Sequence, residues 1–183
     1  MLAHHLGKTV VGDFRTADVA LGGEGAPLVP YFDWALFSST DEHRVLLNLG
    51  GMANITLLPA GTPRDQVIAF DTGPANVLID GLMARIRGEA YDRDGALAVS
   101  GSPDAALVDE VLALPYFSKE PPKSTGRELF NAAFIDDFRL RAAKRELSVA
   151  DTIASATSIS GRSILDAIGR WALGQPDRLI VGG

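Results

Sequence analysis

The polar groups best placed for chemistry sit in a few short strings. "FDTGPAN", residues 70–76, brings together the carboxylate of Asp71, the hydroxyl of Thr72 and Gly73 at the end of a strand. A helix follows directly, so acceptors for a metal or its waters would stand beside backbone N–H donors and a positive dipole suited to phosphate. The same letters also fit a plain helix cap. "LNLGGMANIT", residues 47–56, places Gly50 and Gly51 between two apolar runs, where a backbone can approach a ligand closely, with Asn48 and Asn54 on either side. A Gly-Gly hairpin turn explains it equally well.

Two further strings carry charge. "YDRDG", residues 91–95, looks like part of a calcium loop, but the acidic ligand required at position 103 is a proline, which leaves a loop facing a substrate. In "PPKSTGRELF", residues 121–130, Thr125 and Glu128 have the spacing of a capping box, and Lys123 and Arg127 stay unexplained. There is no cysteine, so disulfides and thiolate metal sites are excluded. The three histidines, His4, His5 and His43, lack the spacing of a zinc site. No Walker A string or Gly-x-Ser-x-Gly elbow occurs, so any phosphate chemistry must use other loops.

The elements that must position these strings follow from hydrophobic patterning. Residues 9–11 read as the end of a buried strand, which stops at Asp13, Phe14 and Arg15 and opens into a loop through Gly22, Gly23, Gly25, Pro27 and Pro30. Residues 44–73 read as a meander of three strands. Pro74 suits the first turn of a helix over 74–87 with Val77, Leu78, Leu82 and Ile86 on one face. Further helices are expected over 103–114, 128–145 and 149–173. The last carries Ile153, Ile164, Ile168 and Trp171, with Gly161 and Gly169 as weak points, before a final strand ending in Gly182 and Gly183. This order gives an α/β or α+β chain without internal repeats. The final strand stops where α/β proteins begin a ligand-binding turn, and residue 1 enters almost directly on a strand, so both ends read as cut.

With 183 residues, 46% of them hydrophobic, the chain can bury one sizeable core or two small ones. A net charge of −6 argues against nucleic acid or an anionic membrane as the main partner. No apolar stretch approaches the roughly 20 residues of a membrane span, and there is no signal-peptide pattern, so a cytoplasmic protein is expected.

In order, "DFRTADVALGGEGAPLVP", "LNLGGMANIT", "FDTGPAN", "YDRDGALA" and "PYFSKEPPKSTGRELF" resemble the anhydro-N-acetylmuramic acid kinase family over nearly the whole chain. The resemblance implies an actin-like ATPase fold of two ribonuclease-H-like lobes. Residues 1–43 would end the first lobe and carry the catalytic Asp, and 44–183 would form the second lobe. It implies a kinase that opens the 1,6-anhydro bridge of 1,6-anhydro-N-acetylmuramic acid with water and phosphorylates O6 from ATP, with Mg²⁺. Asp13 would be the general base, and Arg15 would pair with the phosphate or a carboxylate. Asp71, Thr72 and Gly73 would form one phosphate-facing loop, Gly50, Gly51 and Asn54 another, with Asn76, Gly182 and Gly183 also at the ligands. No direct metal ligand is implied, although Asp71 could act through a water. The implied partners are the amino sugar and ATP, with a homodimer in full-length relatives.

The departures carry their own expectations. The family's first phosphate loop, Ser-Gly-Thr-Ser-x-Asp-Gly, has no counterpart here, and the adenosine-side Gly-rich segment breaks off after Gly183. Ala75 stands where the family tends to have Gly, and "ATSIS" (156–160) where a more Thr-rich helix is expected. The chain is therefore expected to be about half of a family member and inactive alone. The alternative is a non-catalytic lobe that binds a sugar or a partner.

Overall fold

Gly50 and Gly51 make the turn from which the sheet is built. In the computed structural model, which describes residues 1–23, 25 and 28–183, β1 (Arg44–Leu49) and β2 (Met52–Leu58) flank this turn and pair antiparallel. β3 (Ile68–Pro74) adds antiparallel to β2, and β4 (Arg178–Gly182) returns parallel to the far side of β1, giving the order β3-β2-β1-β4. The long crossover between β3 and β4 is helical: α4 (Asn76–Ile86), α5 (Ala96–Ser100), α6 (Ala105–Leu112), α7 (Pro115–Ser118), α8 (Ala132–Lys144) and α9 (Val149–Trp171). Ahead of the sheet lie α1 (Leu2–Leu6), α2 (Phe14–Ala20) and α3 (Pro30–Phe37). The result is an α/β chain whose mixed sheet is flanked by helices, as expected of an actin-like, ribonuclease-H-like lobe.

Strand alternation decides which face is dry. Val45, Leu47, Ala53, Ile55, Leu57 and Phe70 turn to one side and pack on Ile164 and Ala167 of α9. Full burial of each large apolar side chain contributes roughly 1.5–3 kcal/mol. The N-terminal half of α9 serves a second cluster, in which Ile153, Ala156 and Ile159 meet Leu78 and Leu82 of α4, Leu107 and Val111 of α6, and Ile135 and Phe138 of α8. The stripe holding Ile153 and Ile164 thus joins sheet and helical layer, and α9 runs unbroken through Gly161 and Gly169. On the sheet's opposite face α3 is tied down by hydrogen bonds, one of them from Arg44 Nη1 to the carbonyl of Phe37 (2.9 Å). Thr56 donates to Asp33 Oδ2 (2.6 Å), and Trp34 Nε1 donates to the carbonyl of Thr62 (3.0 Å).

Several local expectations are corrected. Residues 9–11 are exposed coil leading into α2, because a strand needs a neighbour and no strand of the described sheet pairs with them. Pro74 closes β3 opposite Met52, so α4 starts two residues later than expected. Thr125 caps nothing: α8 begins after Asn131, whose side-chain oxygen accepts from Phe134 N (3.0 Å). The helix expected over 103–114 is the shorter α6, capped by Asp104. Pro27, part of the expected Gly/Pro loop, lies outside the described residues. Among the described residues no helix is long and apolar enough to cross a membrane.

Candidate functional site

The hairpin register lines up a polar row at one end of the sheet. Asn48 pairs with Asn54 on one side and Gly182 on the other, and Asn54 pairs with Asp71. The row opens on the face away from α9, where a cavity of about 580 Å³ is also lined by Arg15, Asp33 and Thr56. Nothing in the local spacing of residues singles out Asp33. Its carboxylate reaches the site only because α3 packs across β2.

Asp71 is 5% exposed and is held at three points by the strap over residues 116–125. Ser124 Oγ and Thr125 N both donate to its Oδ2 (2.9 Å each), its N–H donates to the Lys123 carbonyl (3.2 Å), and its carbonyl accepts from the Tyr116 hydroxyl (2.6 Å). Burial, with the nearby carboxylates of Asp71 and Glu128, pushes the Tyr116 phenol well above its ordinary range, so it remains a donor. The carboxylate is thereby aimed, and among the described residues Oδ1 has no hydrogen-bond donor. Lys123 and Ser124, fifty residues downstream, therefore act on Asp71 through the fold.

A second cavity, of about 920 Å³, lies beyond the Gly50–Gly51 turn and is lined by Gly50, Gly51, Asn76, Asp80, Arg127 and Gly183 among others. Gly183 could carry no side chain there, since a Cβ would sit 2.2 Å from the Leu49 carbonyl oxygen. The start of α4 is less open than its sequence suggests. Gly51 O accepts from the N–H groups of Ala75 (3.0 Å) and Val77 (3.1 Å), and Gly50 O accepts from that of Asn76 (3.1 Å). These donors are spent on the turn and unavailable to a phosphate. Thr72 and Gly73 are buried within β3 rather than in a loop, and neither lines a cavity described above. Thr72 is the extra residue of a bulge opposite Ala53, with its hydroxyl on the Ala53 carbonyl (3.3 Å), and Gly73 backs onto Phe117 and Ser163.

The structure thus gathers Arg15, Asn54, Asp71 and Gly182 around one cavity and Gly50, Gly51, Asn76 and Gly183 around another. Asp13 lines neither. It sits immediately before α2 in a left-handed conformation (φ 62°), exposed, with the Thr16 hydroxyl donating to its Oδ1 (2.7 Å). Among the described residues no three His, Asp or Glu side chains are grouped to hold a metal directly. The open Asp71 Oδ1 suits contact with a metal's water shell.

The anhydro-N-acetylmuramic acid kinase family model matches residues 1–183, the whole chain. The chain belongs to that family. The anhydro-N-acetylmuramic acid kinase of Salinibacter ruber is 50% identical over 184 residues, covering 100% of this chain and 46% of that protein. The Gloeobacter violaceus kinase is 46% identical over 182 residues, covering 100% and 48%, and the Acinetobacter baylyi kinase 45% identical over 184 residues, covering 97% and 49%. The chain spans about half the length of the anhydro-N-acetylmuramic acid kinases it matches.

Proposed function

We propose that this chain is the part of an anhydro-N-acetylmuramic acid kinase that carries the general base and the second lobe of a two-lobed cytoplasmic enzyme. The division between lobes falls near residues 43 and 44. The observation that carries the proposal is the family match across all 183 residues. The reaction adds water to the anomeric carbon of 1,6-anhydro-N-acetylmuramic acid while the bond from that carbon to O6 breaks. O6 then takes the γ-phosphoryl group of ATP, leaving ADP and N-acetylmuramic acid 6-phosphate.

Asp13 accepts the proton of the attacking water. Its exposure suits a group that must meet a substrate, and the Thr16 hydroxyl on Oδ1 fixes the carboxylate while leaving Oδ2 to the water. Bridge opening supplies the phosphoryl acceptor already in place, which removes the entropy cost of bringing in a second reactant. Arg15, at the lip of the sheet-face cavity, is the nearest cation in sequence for a phosphate or carboxylate. Mg²⁺ would spread the charge of the transferring group, with Asp71 Oδ1 on its waters. Because the amides at the start of α4 are bonded to the glycine turn, the phosphates must be met mainly by other donors of the full-length enzyme.

Replacing Asp13 with Asn in the full-length context should lower product formation by about 10²–10⁴-fold and leave ATP binding intact. Turnover at the unsubstituted rate would remove Asp13 from this role. The 183-residue chain alone should show no turnover with ATP and the anhydro sugar, because it spans about half the length of its relatives. Turnover matching a full-length relative would overturn that expectation.

A further inference from the structure

A third cavity, of about 360 Å³, opens on the other side of α4 and is lined by Asn76, Asp80, Tyr91, Asp92 and Thr157 among others. Asn76 and Asp80 also line the 920 Å³ cavity, so the wall between the two spaces is this one turn of α4. Four residues apart on a helix, the two side chains share a face.

The polar groups here divide into committed and free. Both Asp92 oxygens are used, accepting from Leu97 N and Ala98 N (3.0 Å each), and the Thr157 hydroxyl donates to the Ile153 carbonyl (2.9 Å). The Asn76 backbone N–H is spent on Gly50 O, but its side-chain amide makes no hydrogen bond among the described residues. Asp80 is likewise without a partner there. Partial burial raises its carboxyl above the ordinary value. Tyr91, 49% exposed, adds an aromatic wall whose ring carries the Arg93 guanidinium (5.6 Å).

We propose that Asn76 and Asp80, with Tyr91 as the wall, form a subsite for the neutral hydroxyl face of a carbohydrate. The assignment rests on the amino-sugar reaction proposed above and names the residues that choose its substrate. A half-buried carboxylate lacking donors is completed by hydroxyl groups, which donate to it and accept from the Asn76 amide. The same carboxylate repels phosphate and carboxylate groups, which excludes the charged parts of either substrate from this spot. The volume lies at the small end of the roughly 300–1,000 Å³ typical of small-molecule sites, in keeping with a single sugar ring.

Calorimetric titration of the 183-residue chain with 1,6-anhydro-N-acetylmuramic acid tests the subsite, with ATP as the comparison ligand. Asp80→Asn and Asn76→Ala should each weaken sugar binding at least about tenfold, with unchanged ATP affinity and unfolding midpoint. Asp80→Asn removes a desolvated charge, and the Asn76 side chain takes no part in the backbone bonds that cap α4, so both variants should fold. Sugar binding to the unsubstituted chain with no loss in the variants would overturn the subsite while leaving the proposed reaction standing. Equal losses for sugar and ATP, or a fall in the unfolding midpoint, would reduce both residues to a structural role and overturn it too. No saturable sugar binding to the unsubstituted chain would overturn the subsite outright, and Asp13→Asn would still test the reaction separately.

Discussion

Lys123 is a cation sealed inside the chain, 2% exposed, and among the described residues it has no carboxylate partner. Its Nζ donates to the carbonyls of Tyr116 (3.1 Å) and Phe117 (3.3 Å) and lies over the rings of Tyr116 (4.7 Å) and Phe70 (5.6 Å). Those contacts hold the strap that aims Asp71, but they do not fully replace water. Burial, followed by the charges of Arg170 and Lys119, lowers the Lys123 pKa from 10.5 to about 8. The unfolded chain therefore binds the extra proton more tightly than the folded one. The penalty is complete below pH 8, shrinks as pH rises from about 8 to about 10.5, and is gone above that. Lys123→Met should remove this slope. Urea midpoints measured across the window for both proteins should show the unsubstituted chain gaining on the variant by up to about 3 kcal/mol as pH rises. Parallel profiles would mean that the ammonium is better solvated than its burial implies.

At the scale of elements, the close approach of α5 and its following turn to α9 can be separated from the softer contact of α4 with α8. A Cβ on Gly101 would meet the backbone carbonyl oxygen of Ala150 at 2.2 Å, and a main chain inside α9 cannot yield. On Gly81 it would meet Ile135 Cδ1 at 2.5 Å, the movable end of a side chain, while Ala gains about 1 kcal/mol of helix propensity over Gly. Gly101→Ala should therefore cost more than about 2 kcal/mol and Gly81→Ala less than about 1 kcal/mol, read from denaturant midpoints at constant slope. The reverse order would show that α5 can move off α9. The same distinction between local and distant causes explains what the sequence made legible. β1 to β3 could be read from apolar runs around Gly50 and Gly51, and α9 from its isoleucine spacing, since each signal lies within one element. The strand expected at 9–11 failed because pairing is a property of two segments, and Val10 and Val11 are apolar without a described neighbour. Around the candidate site, the pairing of Asn48 with Asn54 was implicit in a hairpin centred on Gly51. The grip of Ser124 and Thr125 on Asp71, and the arrival of Asp33 through Thr56, depend on packing over 53, 54 and 23 residues of sequence separation. No local spacing encodes those contacts.

Across the whole molecule, protection of the sheet is uneven. One edge, β3, is covered by the strap, where the Lys123 carbonyl takes the Asp71 N–H. The other edge is β4, whose inner side pairs with β1 and whose outer side pairs with no described strand. Leu179 and Val181 stand opposite the buried Val45 and Leu47, yet are 49% and 55% exposed, so the apolar face continues past the helical cover. An open edge beside exposed apolar side chains is a template for adding another strand. The net charge of −6 opposes association only weakly at such short range once salt screens it. The 183-residue chain should therefore self-associate as its concentration rises, and Val181→Lys should reverse this by placing a charge beside the open edge. Sedimentation velocity over a concentration series checks both statements. A chain that remains monomeric throughout, or a variant that associates as strongly as the unsubstituted chain, would remove β4 as the surface responsible.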